Sequence, residues 1–173
     1  MLECMTLICS LVKKITHKLN HLGGSLDPHA AFLLHRGMKT LALRVRQQNE
    51  SALKVAQFLV DHPKIGKVNY AGLKSHPQHR RARELFEGFG GVLSFELKGG
   101  VKAAERFIHK TTLPIRAPSL GGIETLITRP ITTSHSGLSP EYRKKLGITD
   151  GLVRISLGIE ATEEILEDFS QAL

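Results

Sequence analysis

An arginine stands alone in the alternating stretch GLVRISLGIE, residues 151–160. Period two places Val153, Ile155, Leu157 and Ile159 on one face of a strand, and Leu152, Arg154, Ser156 and Gly158 on the other. The first face reads as core. On the second, a permanent cation is flanked by a hydroxyl and then a glycine, neighbours small enough for a ligand to reach it. A guanidinium is the side chain best shaped to grip a carboxylate with two parallel hydrogen bonds. Pairing of Arg154 with a structural carboxylate, Glu160 or Asp150, satisfies the same pattern, and the residues alone leave both readings open. A second stretch, APSLGGIETL at 117–126, sets a proline and two glycines directly after a strand. That composition fixes a tight turn presenting Ser119 and several backbone N–H groups, a place to receive an anion.

Other chemistries find less support. His17 and His21 lie one helical turn apart and His76 and His79 bracket Pro77 and Gln78, but no cysteine or carboxylate stands at ligand spacing near either pair, so no metal site is expected. The GLSPE segment around Ser139 lacks the Gly-x-Ser-x-Gly elbow, and neither a Walker loop nor Gly-x-Gly-x-x-Gly occurs. With 24 Lys plus Arg against 16 Asp plus Glu the net charge is +8, which suits anionic partners. The basic residues are scattered, however, and seven Phe, two Tyr and no Trp are too few for a base-stacking platform, so no nucleic-acid role is expected. Cys4 and Cys9 both fall in the first ten residues, so no disulfide framework braces the body of the protein, which favours a reducing compartment. The opening MLECMTLICSLVKK carries its lysines after the apolar run, and nothing approaches the roughly 20 apolar residues of a membrane span. The expectation is a soluble cytoplasmic protein without a membrane partner.

The elements that must position Arg154 and Ser119 follow from periodicity. Asp27 and Pro28 form a helix start, with Asp27 as cap and Pro28 in the first turn, where its missing N–H costs nothing. Apolar groups then recur at helical spacing (Leu34, Met38, Leu41, Val45, Ala52, Val55, Ala56, Leu59) until Pro63, predicting one long amphipathic helix with Gly37 as a weak point. Beyond it, short strands alternate with helices through to a closing helix capped by Thr162 or its neighbour. The division is an N-terminal arm at 1–26, a long linking helix at 27–62 and an α/β domain at 63–173 with one sheet face covered.

Six segments in order (GGSLDPHAAFLLHRGMKTLALR at 23–44, YAGLKSHPQH at 70–79, GFGGVLSFEL at 88–97, APSLGG at 117–122, TSHSGLSPEYRKKLGITDGLVRISLGIE at 133–160 and the tail EEILEDFSQAL) closely resemble the C-terminal part of the Cys/Met-metabolism family of pyridoxal-phosphate (PLP) enzymes. That family includes cystathionine gamma-synthase, cystathionine gamma- and beta-lyases, methionine gamma-lyase and the O-acylhomoserine sulfhydrylases. The resemblance implies the small C-terminal domain of the aspartate-aminotransferase-like, fold type I class: a mixed, largely antiparallel sheet with helices on one side. It implies PLP chemistry on sulfur amino acids, by beta or gamma elimination or gamma replacement, in a homo-oligomer, a tetramer in the intact family. It assigns the substrate α-carboxylate to Arg154, helped by Ser119. The family's Schiff-base lysine stands upstream in a Ser-x-Thr-Lys context that none of the 13 lysines here shares. Lys39 in RGMKT matches a different, non-catalytic motif. No catalytic or cofactor-binding residue is therefore expected in this chain, which reads as a fragment or truncated product, or as a non-catalytic homologue that binds intact subunits. Residues 1–11 match no family motif in this reading, and Pro118 occupies a position that is acidic in some gamma-lyases and gamma-synthases, while an APS form occurs in plant-type gamma-synthases.

Overall fold

The computed structural model describes the backbone of residues 2–173 and the side chains of residues 8–19 and 21–173. The chain divides into two compact units, one ending at Leu41 and one running from Ala42 to Leu173.

The first unit holds helices α1 (Leu2–Leu22) and α2 (Pro28–Met38). The stretch expected as an arm is therefore largely helical. It closes at Gly23, whose N–H donates to the Leu19 carbonyl (3.0 Å) and whose φ of 78° is the left-handed conformation that glycine adopts without a Cβ penalty. Asp27 caps α2 through Oδ1, which accepts from the N–H groups of His29 (2.9 Å) and Ala30 (3.1 Å), and Pro28 takes the first turn. The single helix expected over 27–62 is instead two helices parted by a turn at Lys39 and Thr40. The Lys39 N–H turns back to the carbonyl of Arg36, three residues away, and closes α2 two residues after Gly37, the weak point in the helical pattern.

The second unit takes in α3 (Leu41–Asp61) from its second residue and continues through β1 (Ile65–Asn69), α4 (His79–Leu85), β2 (Val92–Leu97), α5 (Gly100–Lys110), β3 (Ile115–Arg116), β4 (Leu126–Thr128), a 3-10 turn (Pro130–Thr132), α6 (Pro140–Lys145), β5 (Leu152–Ser156) and α7 (Thr162–Ala172). The five strands form one sheet in the order β1-β2-β5-β4-β3. Its β1–β2, β2–β5 and β5–β4 pairs are antiparallel and β3–β4 is parallel, so the sheet is mixed and largely antiparallel.

Helices α3, α5 and α7 cover one face. Ala52, Val55, Ala56 and Leu59 of α3, Ala104 and Phe107 of α5, and Ile165 and Phe169 of α7 pack with Leu93, Phe95, Ile127, Val153 and Ile155 from the sheet. Phe107 sits at the centre, edge to face with Phe95 (ring centroids 5.5 Å apart) and with Phe169 (5.4 Å). Burying each such ring contributes about 1.5–3 kcal/mol, with a further increment from the edge-to-face geometry. The apolar stripe of α2 and α3 meets two fates: Ala52 to Leu59 are fully buried, whereas Leu34, Met38, Leu41 and Val45 are exposed.

Polar contacts fasten this layer. Asp168 of α7 is buried and accepts from the N–H and hydroxyl of Thr112 (3.0 and 2.7 Å), the N–H of Leu113 (3.3 Å) and the Gln171 amide (2.9 Å), tying α7 to the end of α5. Burial works against its charge, but these four donors outweigh it and hold the carboxyl below the ordinary aspartate value. The residue flanking α7 on its N-terminal side is Ala161, the neighbour of Thr162, with no side-chain capping bond; Thr162 itself lies inside the first turn and its hydroxyl meets that of Ser51 at 2.8 Å in the interior.

Candidate functional site

The strand β5 runs through the middle of the sheet, with β2 on one side and β4 on the other. Register places Arg154 opposite Ser94 on β2 and Thr128 on β4, and Ser94 in turn opposite Asn69 on β1. Partners across a ladder point the same way, so Asn69, Ser94, Arg154 and Thr128 form one polar row on the face turned away from the helices. Alternation along β5 explains the choice: Val153 and Ile155 are the core partners, and Arg154 between them must point outward. The pattern ends at Gly158. Ile159, expected in the core, is exposed, because the chain leaves the sheet there and the Ile159 N–H donates to the Ile123 carbonyl (2.9 Å).

Neither expected carboxylate partner holds Arg154. Glu160 instead accepts from the Thr125 N–H (2.6 Å) and hydroxyl (2.8 Å), and Asp150 meets a different arginine, Arg129, through its carbonyl. Arg154 Nη2 donates to the backbone carbonyls of Pro118 (2.6 Å) and Ser119 (3.0 Å). Its Nε is buried and has no partner. A buried N–H left without an acceptor costs about 1–3 kcal/mol, so the guanidinium is anchored at one end and under-satisfied at the other.

The 117–122 turn is built differently from the expected N–H cradle. Gly121, at φ 77°, donates its N–H to Ser156 Oγ (3.1 Å), and the Gly122 carbonyl accepts from the Gln48 amide (2.7 Å). The turn therefore uses a donor to fasten itself to β5 and presents carbonyls to Arg154. Ser119 is exposed and reaches Arg154 through its carbonyl. Gly158 is small for a reason other than ligand access: a Cβ there would come within 2.2 Å of the Ile123 carbonyl oxygen, so its missing side chain is what lets the loop lie against β5.

On its other side Arg154 borders an open hollow of about 250 Å³, shared with Asn69, Ser94, Leu152, Pro130, Ile148 and His135. Asn69 donates to Ser94 Oγ (3.3 Å). His135 lies in the turn after the 3-10 segment, its backbone N–H on the Pro130 carbonyl (2.8 Å) and its Nδ1 2.8 Å from Ser134 Oγ. The sequence singles out neither His135 nor the Asn69–Ser94 pair, since the register of β1, β2 and β5 brings the pair to Arg154 and the turn after β4 brings His135 to the hollow. Among the described residues no group of three or more His, Cys, Asp or Glu could hold a metal. The paired histidines have local partners: His79 Nδ1 is 2.8 Å from the Ala71 carbonyl and its ring stacks on Phe89, while His17 and His21 contact each other on α1.

The sequence pattern of the family described as Cys/Met metabolism PLP-dependent enzyme matches residues 4–173. The chain belongs to this family. The match starts inside the opening 1–11 stretch, which the motifs alone left outside. Cystathionine gamma-synthase 1, chloroplastic, of Arabidopsis thaliana is 46% identical over 169 residues, covering 96% of this chain and 30% of that protein. Cystathionine gamma-lyase of Saccharomyces cerevisiae is 46% identical over 171 residues, covering 94% and 42%. A crystal structure of a cystathionine gamma lyase from Micromonospora echinospora superimposes with a TM-score of 0.88 at 35% identity, over 95% of this chain and 43% of that one. The chain thus spans 30% and 42% of the length of these two curated relatives. The fold is that of the fold type I PLP enzymes, and the family is PLP-dependent. The hollow beside Arg154 is lined by no lysine, carboxylate or glycine turn, so its donors suit a carboxylate and do not suit the pyridoxal group. Among the described residues no helix is long and apolar enough to cross a membrane.

Proposed function

We propose that this chain is the substrate-carboxylate-binding portion of a PLP-dependent trans-sulfuration enzyme acting on sulfur amino acids of the cystathionine, methionine or O-acylhomoserine class. Arg154 holds the substrate α-carboxylate with help from Ser119, and PLP, held by a segment that carries the Schiff-base lysine, would supply the electron sink for the carbanion from which a group leaves the beta or gamma carbon. Alone the chain is inactive, because none of its lysines has the family's context. The observation that carries this reading is the state of Arg154: fixed by two loop carbonyls, bordering an open hollow whose lining is largely apolar, and left with a buried N–H that lacks an acceptor. Fixing a carboxylate orients the bond to be broken, a positioning contribution worth several kcal/mol. A homo-oligomeric assembly, tetrameric as in the intact family, and a cytoplasmic setting belong to the same proposal.

The test pairs the chain with the lysine-bearing segment of the yeast cystathionine gamma-lyase. Turnover of L-cystathionine is expected in the pair and absent from the chain alone. Arg154→Ala should lower kcat/KM at least a hundredfold, and retained turnover in that variant would sink the assignment.

A second reading is favoured by a different observation. Phe32, Leu33, Leu34 and Met38 of α2 are all exposed, and large apolar side chains gathered on one exposed helix suit association with a partner. In that reading the chain is a non-catalytic homologue that associates with intact subunits. A paired complex that forms yet never turns over any sulfur amino acid would favour it.

A further inference from the structure

We propose that His135 is a second substrate-binding residue, its imidazole Nε2 donating to the carboxylate that Arg154 holds; this deepens the reading of Arg154 given above and rests on it. Arg154 alone serves a carboxylate incompletely in this arrangement. Its Nη2 carries two hydrogens, and the Pro118 and Ser119 carbonyls take both. A two-pronged grip along the Nε–Nη2 edge is closed while the turn stays in place, which leaves the Nη1 hydrogens, so a carboxylate facing the hollow gains from a second donor elsewhere.

Of the residues that line the hollow, only Arg154 and His135 can carry positive charge; the Asn69 amide spends one of its two N–H groups on Ser94 and is neutral. The His135 ring is also held in position. The His135 backbone N–H anchors on the Pro130 carbonyl, and the Thr133 hydroxyl bonds to the Arg129 carbonyl (3.0 Å) and meets that of Thr128 (2.9 Å), which belongs to the Arg154 row. Ser134 Oγ occupies the Nδ1 side at 2.8 Å. With that hydroxyl donating, the imidazole proton sits on Nε2, the state that donates to an anion. A donor already fixed by its turn loses little freedom when a ligand arrives.

The experiment uses the 173-residue chain labelled uniformly with nitrogen-15 and titrated with L-methionine, against its decarboxylated counterpart 3-(methylthio)propylamine as control. L-methionine is expected to move the His135 ring resonances while the amine leaves them in place. His135→Phe should weaken L-methionine binding about tenfold, as expected for losing one hydrogen bond to a charged group, and His135→Gln, with an amide near the Nε2 position, should recover most of it. Backbone shifts near Arg154 without any movement of the His135 ring in the unsubstituted chain would overturn the proposal, as would wild-type affinity in His135→Phe. Should Arg154→Lys bind L-methionine as tightly as the unsubstituted chain, the assignment of Arg154 itself fails. A chain that shows no shift anywhere overturns both.

Discussion

The two faces of the sheet are made from the same five strands and treat polarity in opposite ways. On the helix side Leu93, Phe95, Ile127, Val153 and Ile155 lie in a dry core. On the other side the register aligns Asn69, Ser94, Arg154 and Thr128 beside an open hollow. The helix side is complete: apolar groups meet apolar groups, and its one buried carboxylate, Asp168, has four donors. The opposite side is incomplete, since Arg154 Nε is buried without an acceptor and the hollow beside it is open. Stability is concentrated in the first face, and the capacity to bind something in the second.

Phe107→Ala tests the first half of that contrast with the largest effect. The ring touches both Phe95 and Phe169, so its loss leaves a cavity that neither neighbour can fill without leaving its rotamer. A destabilisation of about 3–5 kcal/mol is expected, measured as the shift of the urea midpoint at constant slope. A loss below about 1 kcal/mol would mean that the helix layer is not the stable half.

Next in size is Gly158→Ala, which probes how the 117–126 loop is held against β5. The added Cβ would lie 2.2 Å from the Ile123 carbonyl oxygen and 2.6 Å from the Glu124 carbonyl carbon, backbone atoms that can yield only by moving the loop. About 1–3 kcal/mol should be lost. Gly137→Ala is the control, because nothing lies within 4 Å of its Cβ position. Equal stability of the two variants would dismiss the close approach at Gly158.

Much of this contrast is visible in the sequence and some of it is not, for physical reasons. Alternation in LVRIS separates Val153 and Ile155 from Arg154, because a strand has a fixed period of two. The same rule fails at Ile159, since periodicity does not announce where a chain leaves the sheet. Helical spacing from Leu34 to Leu59 is real, yet it runs through the break at Lys39 and Thr40, because the closing of α2 depends on one i−3 bond and not on apolar spacing. Glycine and proline in APSLGG foretell a turn but not which backbone groups it turns inward; carbonyls face Arg154 where N–H groups were expected. The Asn69–Ser94 pair is hidden for a third reason: it reaches Arg154 only through strand register, which depends on pairings across tens of residues; His135 reaches the hollow through the path of the turn after β4, which no periodicity announces.

The smallest effect comes from Asp168, the polar group that shows what full satisfaction looks like. Its carboxylate is charged and buried, and four hydrogen bonds keep its folded pKa below the ordinary value. A depressed folded value means that the unfolded chain takes up its proton first on acidification. The stabilisation is therefore fully present above the unfolded pKa and is lost as pH falls through the folded one. Asp168→Asn keeps the shape and one acceptor oxygen but removes the charge, so about 1 kcal/mol should be lost near neutral pH. The difference between the two proteins should shrink as the solution is acidified through that window, followed by urea unfolding at several pH values. A difference that stays constant with pH would show that Asp168 acts through its shape and not its charge, and the helix layer would then owe its completeness to packing alone.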